Sequence, residues 1–223
     1  MNFLIFSMSL FFSSFSNAQS VLFIGDSHSV GPFGKKLDLL LREKGAIVET
    51  YASCGSIAQW WVSGKTTNCG YFFKDKEGKV SFGLKADTPI FKKLMDKNKP
   101  AFVIVELGAN YANVLSDDFA VEDMSSMASM IKDYGAKCFW VTKPHARKNP
   151  QDLPRILELT YKAVSPYCDI FDSTKVTEYP KEGGDGIHYS FKEGIPIAEN
   201  WAKEVFEWFI GGGEKKISAS EIK

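Results

Sequence analysis

The chain has 223 residues, 44% of them hydrophobic and 24% charged, which suits one domain with a continuous core and excludes a disordered or fibrous protein. Its 27 basic and 27 acidic residues cancel and the sequence pI is about 6.8, leaving no electrostatic case for nucleic acid or an anionic membrane as partner. Internal repeats and heptad seams are lacking.

The first segment, MNFLIFSMSLFFSSFSNAQS, carries an apolar stretch over residues 3–15, too short to span about 30 Å of hydrocarbon. It ends in Ser16-Asn17-Ala18, a small-x-small pattern suited to signal peptidase, so residues 1–18 read as an export signal and the mature chain begins near Gln19. This predicts a secreted or periplasmic protein without stable membrane insertion. The oligomeric state is not readable from the sequence.

Short apolar runs then alternate with helical patterns. SVLFIGD (20–26), AIVETYA (46–52), AFVIVELG (101–108), AKCFWVT (136–142) and CDIFDS (168–173) read as buried strands of a parallel sheet. The intervening amphipathic stretches are GKKLDLLLREKG, DDFAVEDMSSMASMIKDYG, DLPRILELTYKAV and FKEGIPIAENWAKEVFEWFIGG. Leu37, Leu40 and Leu41 share one face of the first, and Gly45 stops it. The expected fold class is α/β, a three-layer α/β/α sandwich on a parallel sheet of about five strands, filling residues 19–213 ahead of a flexible tail at 214–223. Residues 60–99 break the rhythm and read as an excursion over one end of the sheet. It would hold a hairpin turning at DKEG and a crossover helix with Thr88 as N-cap and Pro89 in its first position.

Exported chains meet an oxidising compartment, so the four cysteines read as two bridges. Of three possible pairings, Cys54–Cys69 and Cys138–Cys168 are expected, the first closing a loop of about fifteen residues.

Ligands of open parallel sheets bind beyond the carboxyl ends of the strands. There the chain places Gly25-Asp26-Ser27, then Gly55 in ASCGS, Gly108 and Asn110 in GANY, the basic KPHARKN, and Asp185 and His188 in GGDGIHYS. A serine hydroxyl needs an adjacent base, which His188 supplies, and Asp185 three residues earlier can fix the imidazole tautomer. Charge growing on an attacked carbonyl oxygen would meet the N–H groups of Ser27 and Gly55 and the side-chain amide of Asn110. Ser27 thus lies where a strand turns into a helix because backbone donors point there.

In these residues the chain resembles the SGNH (GDSL-type) hydrolases: FIGDSHS is similar to their first block, Gly55 to their second-block glycine, GAN to the start of G-x-N-D, and DGIH to the final D-x-x-H. The blocks occur in order across the whole mature chain. The resemblance implies a flavodoxin-like sandwich hydrolysing esters without metal or cofactor, with Ser27 as nucleophile, His188 as base, Asp185 as its partner, and Ser27, Gly55 and Asn110 as oxyanion hole. Tyr111 stands where the family has Asp, which alters the support of Asn110.

Flanking residues are read more modestly. His28 follows the nucleophile but points a different way, so it is a pocket wall or a hydrogen-bonded loop residue. Trp60 and Trp61 either stack on sugar rings or pack the root of the excursion. Lys143, His145 and Arg147 form a solvated basic loop or grip a carboxylate. Asp26 braces the nucleophile turn. The expected activity is an exported serine esterase acting on a small-molecule or polysaccharide ester, acetyl on carbohydrate foremost. The alternatives are a lysophospholipase or thioesterase on longer chains, an O-acyltransferase, and an inactive scaffold that binds glycans.

Overall fold

The computed structural model describes residues 19–213; the expected signal at 1–18 and tail at 214–223 lie outside the described residues. The strands in chain order are β1 (Ser20–Gly25), β2 (Ile47–Ser53), β3 (Thr66–Thr67), β4 (Tyr71–Lys74), β5 (Val80–Gly83), β6 (Ala86–Asp87), β7 (Phe102–Glu106), β8 (Lys137–Val141) and β9 (Cys168–Phe171). The helices are α1 (Ser27–Val30), α2 (Pro32–Glu43), α3 (Ala58–Ser63), α4 (Phe91–Asn98), α5 (Asp117–Asp133), α6 (Asp152–Val164) and α7 (Gly194–Ile210).

The sheet has seven strands in the order β5-β4-β2-β1-β7-β8-β9, not about five. The five apolar runs are its parallel part, and the hairpin β4–β5 adds two antiparallel strands along the free edge of β2. The segment read as an excursion over the sheet end therefore extends the sheet itself. Arg42 of α2 fastens the hairpin by donating to Val48 O and Asp75 O, while Lys74 pairs with buried Asp38 at 2.5 Å. The tiny β3–β6 ladder closes the root of the hairpin. Helix α4 starts at Phe91 with Ile90 as N-cap, so Thr88 and Pro89 lie ahead of it rather than at its start.

The central strand explains the layers. Along β1, Val21 and Phe23 face a core built with α2 and α7, while Leu22 and Ile24 face a core built with α3, α4, α5 and α6. Leu22, Phe23 and Ile24 have no exposed surface, and each such burial contributes roughly 1.5–3 kcal/mol. Phe33 of α2 stacks on Trp201 of α7 with ring centroids 3.6 Å apart, joining the two helices of that face. No described helix is long and apolar enough to cross a membrane.

The parallel strands run in the order second, first, third, fourth, fifth, which puts a topological switch point between β1 and β7. A crevice is expected there, at the carboxyl ends. Disulfides Cys54–Cys69 and Cys138–Cys168 are both formed. The second joins register partners on β8 and β9. The first ties the end of β2 to the approach to β4, beside the crevice. Replacing both Cys54 and Cys69 with serine is expected to lower stability by about 3 kcal/mol, read from urea unfolding.

Candidate active site

Gly25 ends β1 because nothing larger fits: a Cβ there would lie 2.0 Å from Ser29 Oγ. The chain turns at once into α1, with Asp26 as N-cap accepting from His28 N at 3.0 Å. Ser27 is the first helical residue, where amides lack an intrahelical acceptor. Its Oγ lies 2.9 Å from His188 Nε2, and His188 Nδ1 lies 2.6 Å from Asp185 Oδ2. With Nδ1 donating to the carboxylate, Nε2 is left to accept the serine hydroxyl. Asp185 Oδ1 accepts from the backbone N–H groups of Ile187 at 2.8 Å and His188 at 2.7 Å. Burial pushes the Asp185 carboxyl up, but the His188 N–H and ring and the Ile187 N–H outweigh it and hold the group well below the usual carboxylate range. A permanent anion therefore faces the imidazole.

Gly55 follows β2 with φ of +81°, a left-handed conformation that favours glycine. Asn110 sits in a 3₁₀ turn after β7, and its Nδ2 donates to Ser56 O at 3.0 Å and to Asp26 Oδ2 at 3.2 Å. It thereby ties the Gly55 loop to the turn that carries Ser27. Both amide hydrogens are spent in this state, so donation to a ligand oxygen requires one contact to be shared.

Two clefts meet at Ser27 and His188. One, of about 480 Å³, is lined by His28, Val30, Phe33, Tyr189 and Trp201. The other, of about 340 Å³, is lined by Gly55, Asn110, Asn113, Lys143 and Lys148. The Cys54–Cys69 bridge borders both.

No family model and no curated protein matches the sequence. Among solved structures, the chain is similar to a protein of Slackia heliotrinireducens assigned to the SGNH hydrolases, at TM-score 0.58 and 16% identity over 85% of this chain and 99% of that one. A peptidoglycan O-acetylesterase superposes at TM-score 0.58 with 11% identity, covering 88% and 91% of the two chains. An acetylxylan esterase of Geobacillus stearothermophilus does so at 0.54 with 15% identity, covering 85% and 95%. The chain has the SGNH-hydrolase fold.

Within that SGNH fold, several residues expected at the site do other work. Trp61 is fully buried in the core with Phe91 and Met95 and cannot stack on a sugar. Trp60 packs against Gly55 and under the Lys65 ammonium, outside both clefts. The His145 ring bonds Thr177 O rather than facing a cleft. Arg147 donates to the carbonyls of Pro180, Lys181 and Gly183, and so staples the loop that carries Asp185 and His188. Tyr179 braces the same loop, accepting from Gly186 N and donating to His188 O. Lys143 is buried, not solvated. His28 does wall the first cleft, and burial lowers it to about 3, so its ring stays neutral.

Tyr111, at the position where the sequence resemblance implies an acid, has its own task. Its hydroxyl accepts from Ala58 N at 3.1 Å, where Ile57 offers α3 no side-chain cap, and donates to Asp123 Oδ2 at 2.7 Å. It anchors the helix that follows the Gly55 loop.

Glu106 was not singled out from the sequence, although a lone acid closing the apolar run AFVIVELG was a readable signal. It is fully buried, accepts from Ser29 Oγ at 2.7 Å, and its Oε1 lacks a donor. Burial and the neighbouring Asp26 charge raise its pKa well above the usual range. Glu106 therefore keeps its proton and shares it with Asp26, itself pushed up to about 6 by burial. At low pH both acids are protonated in the folded and unfolded chains alike. As pH rises the unfolded chain ionises first, so stability falls through about 6. Glu106→Gln, whose amide can donate to Asp26 in place of the acid proton, is expected to stabilise the fold by on the order of 1–2 kcal/mol at pH 8 and not at pH 4, in urea unfolding at the two values.

Proposed function

We propose that the protein is an exported serine esterase that removes acyl groups, acetyl foremost, from carbohydrate esters. The hydrogen-bonded line Ser27 Oγ–His188 Nε2 and His188 Nδ1–Asp185 Oδ2 carries this reading. His188 takes the hydroxyl proton as Ser27 Oγ bonds to the ester carbonyl carbon. The oxyanion meets the N–H groups of Ser27 and Gly55 and the Asn110 amide. Collapse expels the alcohol, which takes its proton from His188. Water, deprotonated by His188, then releases the acid and restores Ser27.

The carbohydrate reading draws on the acetylxylan esterase and peptidoglycan O-acetylesterase among the structural neighbours, and export on the two disulfides. A second reading, longer acyl chains, is favoured by the 480 Å³ cleft with its Val30, Phe33 and Trp201 walls. The test is twofold. A fluorophosphonate should label the wild type and not Ser27→Ala, and p-nitrophenyl acetate should be turned over faster than the decanoate. Labelling that survives Ser27→Ala would refute the nucleophile. A steep preference for decanoate would replace acetyl by the longer-chain reading.

A further inference from the structure

The two clefts at Ser27 differ in charge. The smaller is lined by two ammonium groups, Lys143 and Lys148, against one carboxylate, Asp152. Lys143 follows the end of β8 and packs over Gly108, where an added Cβ would touch its Cβ at 3.5 Å. The residue as a whole is 5% exposed, and its ammonium, which keeps contact with solvent in the cleft, has no hydrogen bond or ion pair among the described residues. Drawing an ammonium partly out of water is costly, and here that burial depresses the Lys143 pKa while Asp152 and Asp26 only partly offset it. Of the other three basic groups of this loop, Arg147 is committed to three carbonyls and His145 to Thr177, while Lys148 is exposed. Lys143 alone is left buried, unpaired and facing the cleft that holds Gly55 and Asn110.

We propose that this cleft is an anion subsite in which the Lys143 ammonium pairs with a carboxylate borne by the acylated substrate. The proposal rests on the esterase reading and narrows its substrate class to esters of acidic sugars. A monoanion suits the lining, since two ammonium groups less one carboxylate leave a single positive charge. The amides of Asn113 and Asn149 add neutral donors suited to sugar hydroxyls.

The test uses Ser27→Ala protein, which binds ester without consuming it, and two probes, monoacetylated glucuronate and monoacetylated glucose. Calorimetry should show the glucuronate ester binding about tenfold tighter or more, as charge-assisted hydrogen bonds to a buried cation do. Adding Lys143→Met should erase the preference, and Lys143→Arg should keep most of it. Equal affinity for the two probes, or a preference that survives Lys143→Met, would overturn the proposal. Should the methionine variant fail to fold, Lys143→Gln, which keeps a polar side chain and removes the charge, takes its place and should erase the preference equally. Hydrolysis by the wild type separates the two readings. Turnover of both esters without discrimination sinks the subsite alone, whereas discrimination in binding without any turnover sinks the esterase and leaves the subsite standing.

Discussion

His188→Ala is expected to lower the turnover of p-nitrophenyl acetate by about 10⁴- to 10⁶-fold, the scale seen when a base that acts as a unit with its serine is removed. Without the imidazole 2.9 Å away, the Ser27 hydroxyl keeps its proton at neutral pH and cannot attack. No neighbour can substitute. His28 is the nearest other ring, with centroids 5.4 Å apart, but burial lowers it to about 3, which makes it a poor base. The His188 side chain is 33% exposed and fills no core position, so the variant should keep its far-UV circular dichroism. A loss below about tenfold would take His188 out of the proton path.

Asp185→Asn is expected to cost about 10³- to 10⁴-fold in kcat with KM nearly unchanged, for a reason specific to this loop. Asp185 Oδ1 accepts two backbone N–H groups, so an asparagine must place its carbonyl oxygen there. Its NH₂ group then faces His188 Nδ1, which can only accept. The imidazole proton moves to Nε2 and points at Ser27, the wrong tautomer for a base. Steady-state kinetics on acetyl esters read the loss directly. An activity near that of the wild type would show that the carboxylate does not set the tautomer.

Much of this was legible in the chain. The five apolar runs became the parallel strands because each is buried on both faces, and continuous apolar character is what that burial demands. Ser27, Gly55, Asn110, Asp185 and His188 could be grouped because the carboxyl ends of parallel strands share one edge. What stayed hidden depends on distant partners. The hairpin was readable as local alternation, but its pairing with β2 is a contact no local pattern encodes. Thr88-Pro89 had the chemistry of a helix start, yet the helix begins only at Phe91. The run KPHARK looked solvated because charge runs usually are, and only the exposed carbonyls of Pro180, Lys181 and Gly183 show why Arg147 is there. Trp60 and Trp61 are adjacent, and only three-dimensional packing shows that one lies beside Gly55 and the other in the core.

The phenol cap on α3 makes one wall of the crevice depend on a distant turn. A six-residue helix is unstable by itself, and this one draws its terminal acceptor from a residue 53 positions along the chain. The loop before it, with Gly55, is held from the same turn, where the Asn110 amide donates to Ser56 O. A change that displaced residues 109–113 would thus disturb α3 and the Gly55 loop together, while leaving the Ser27–His188 pair on other elements.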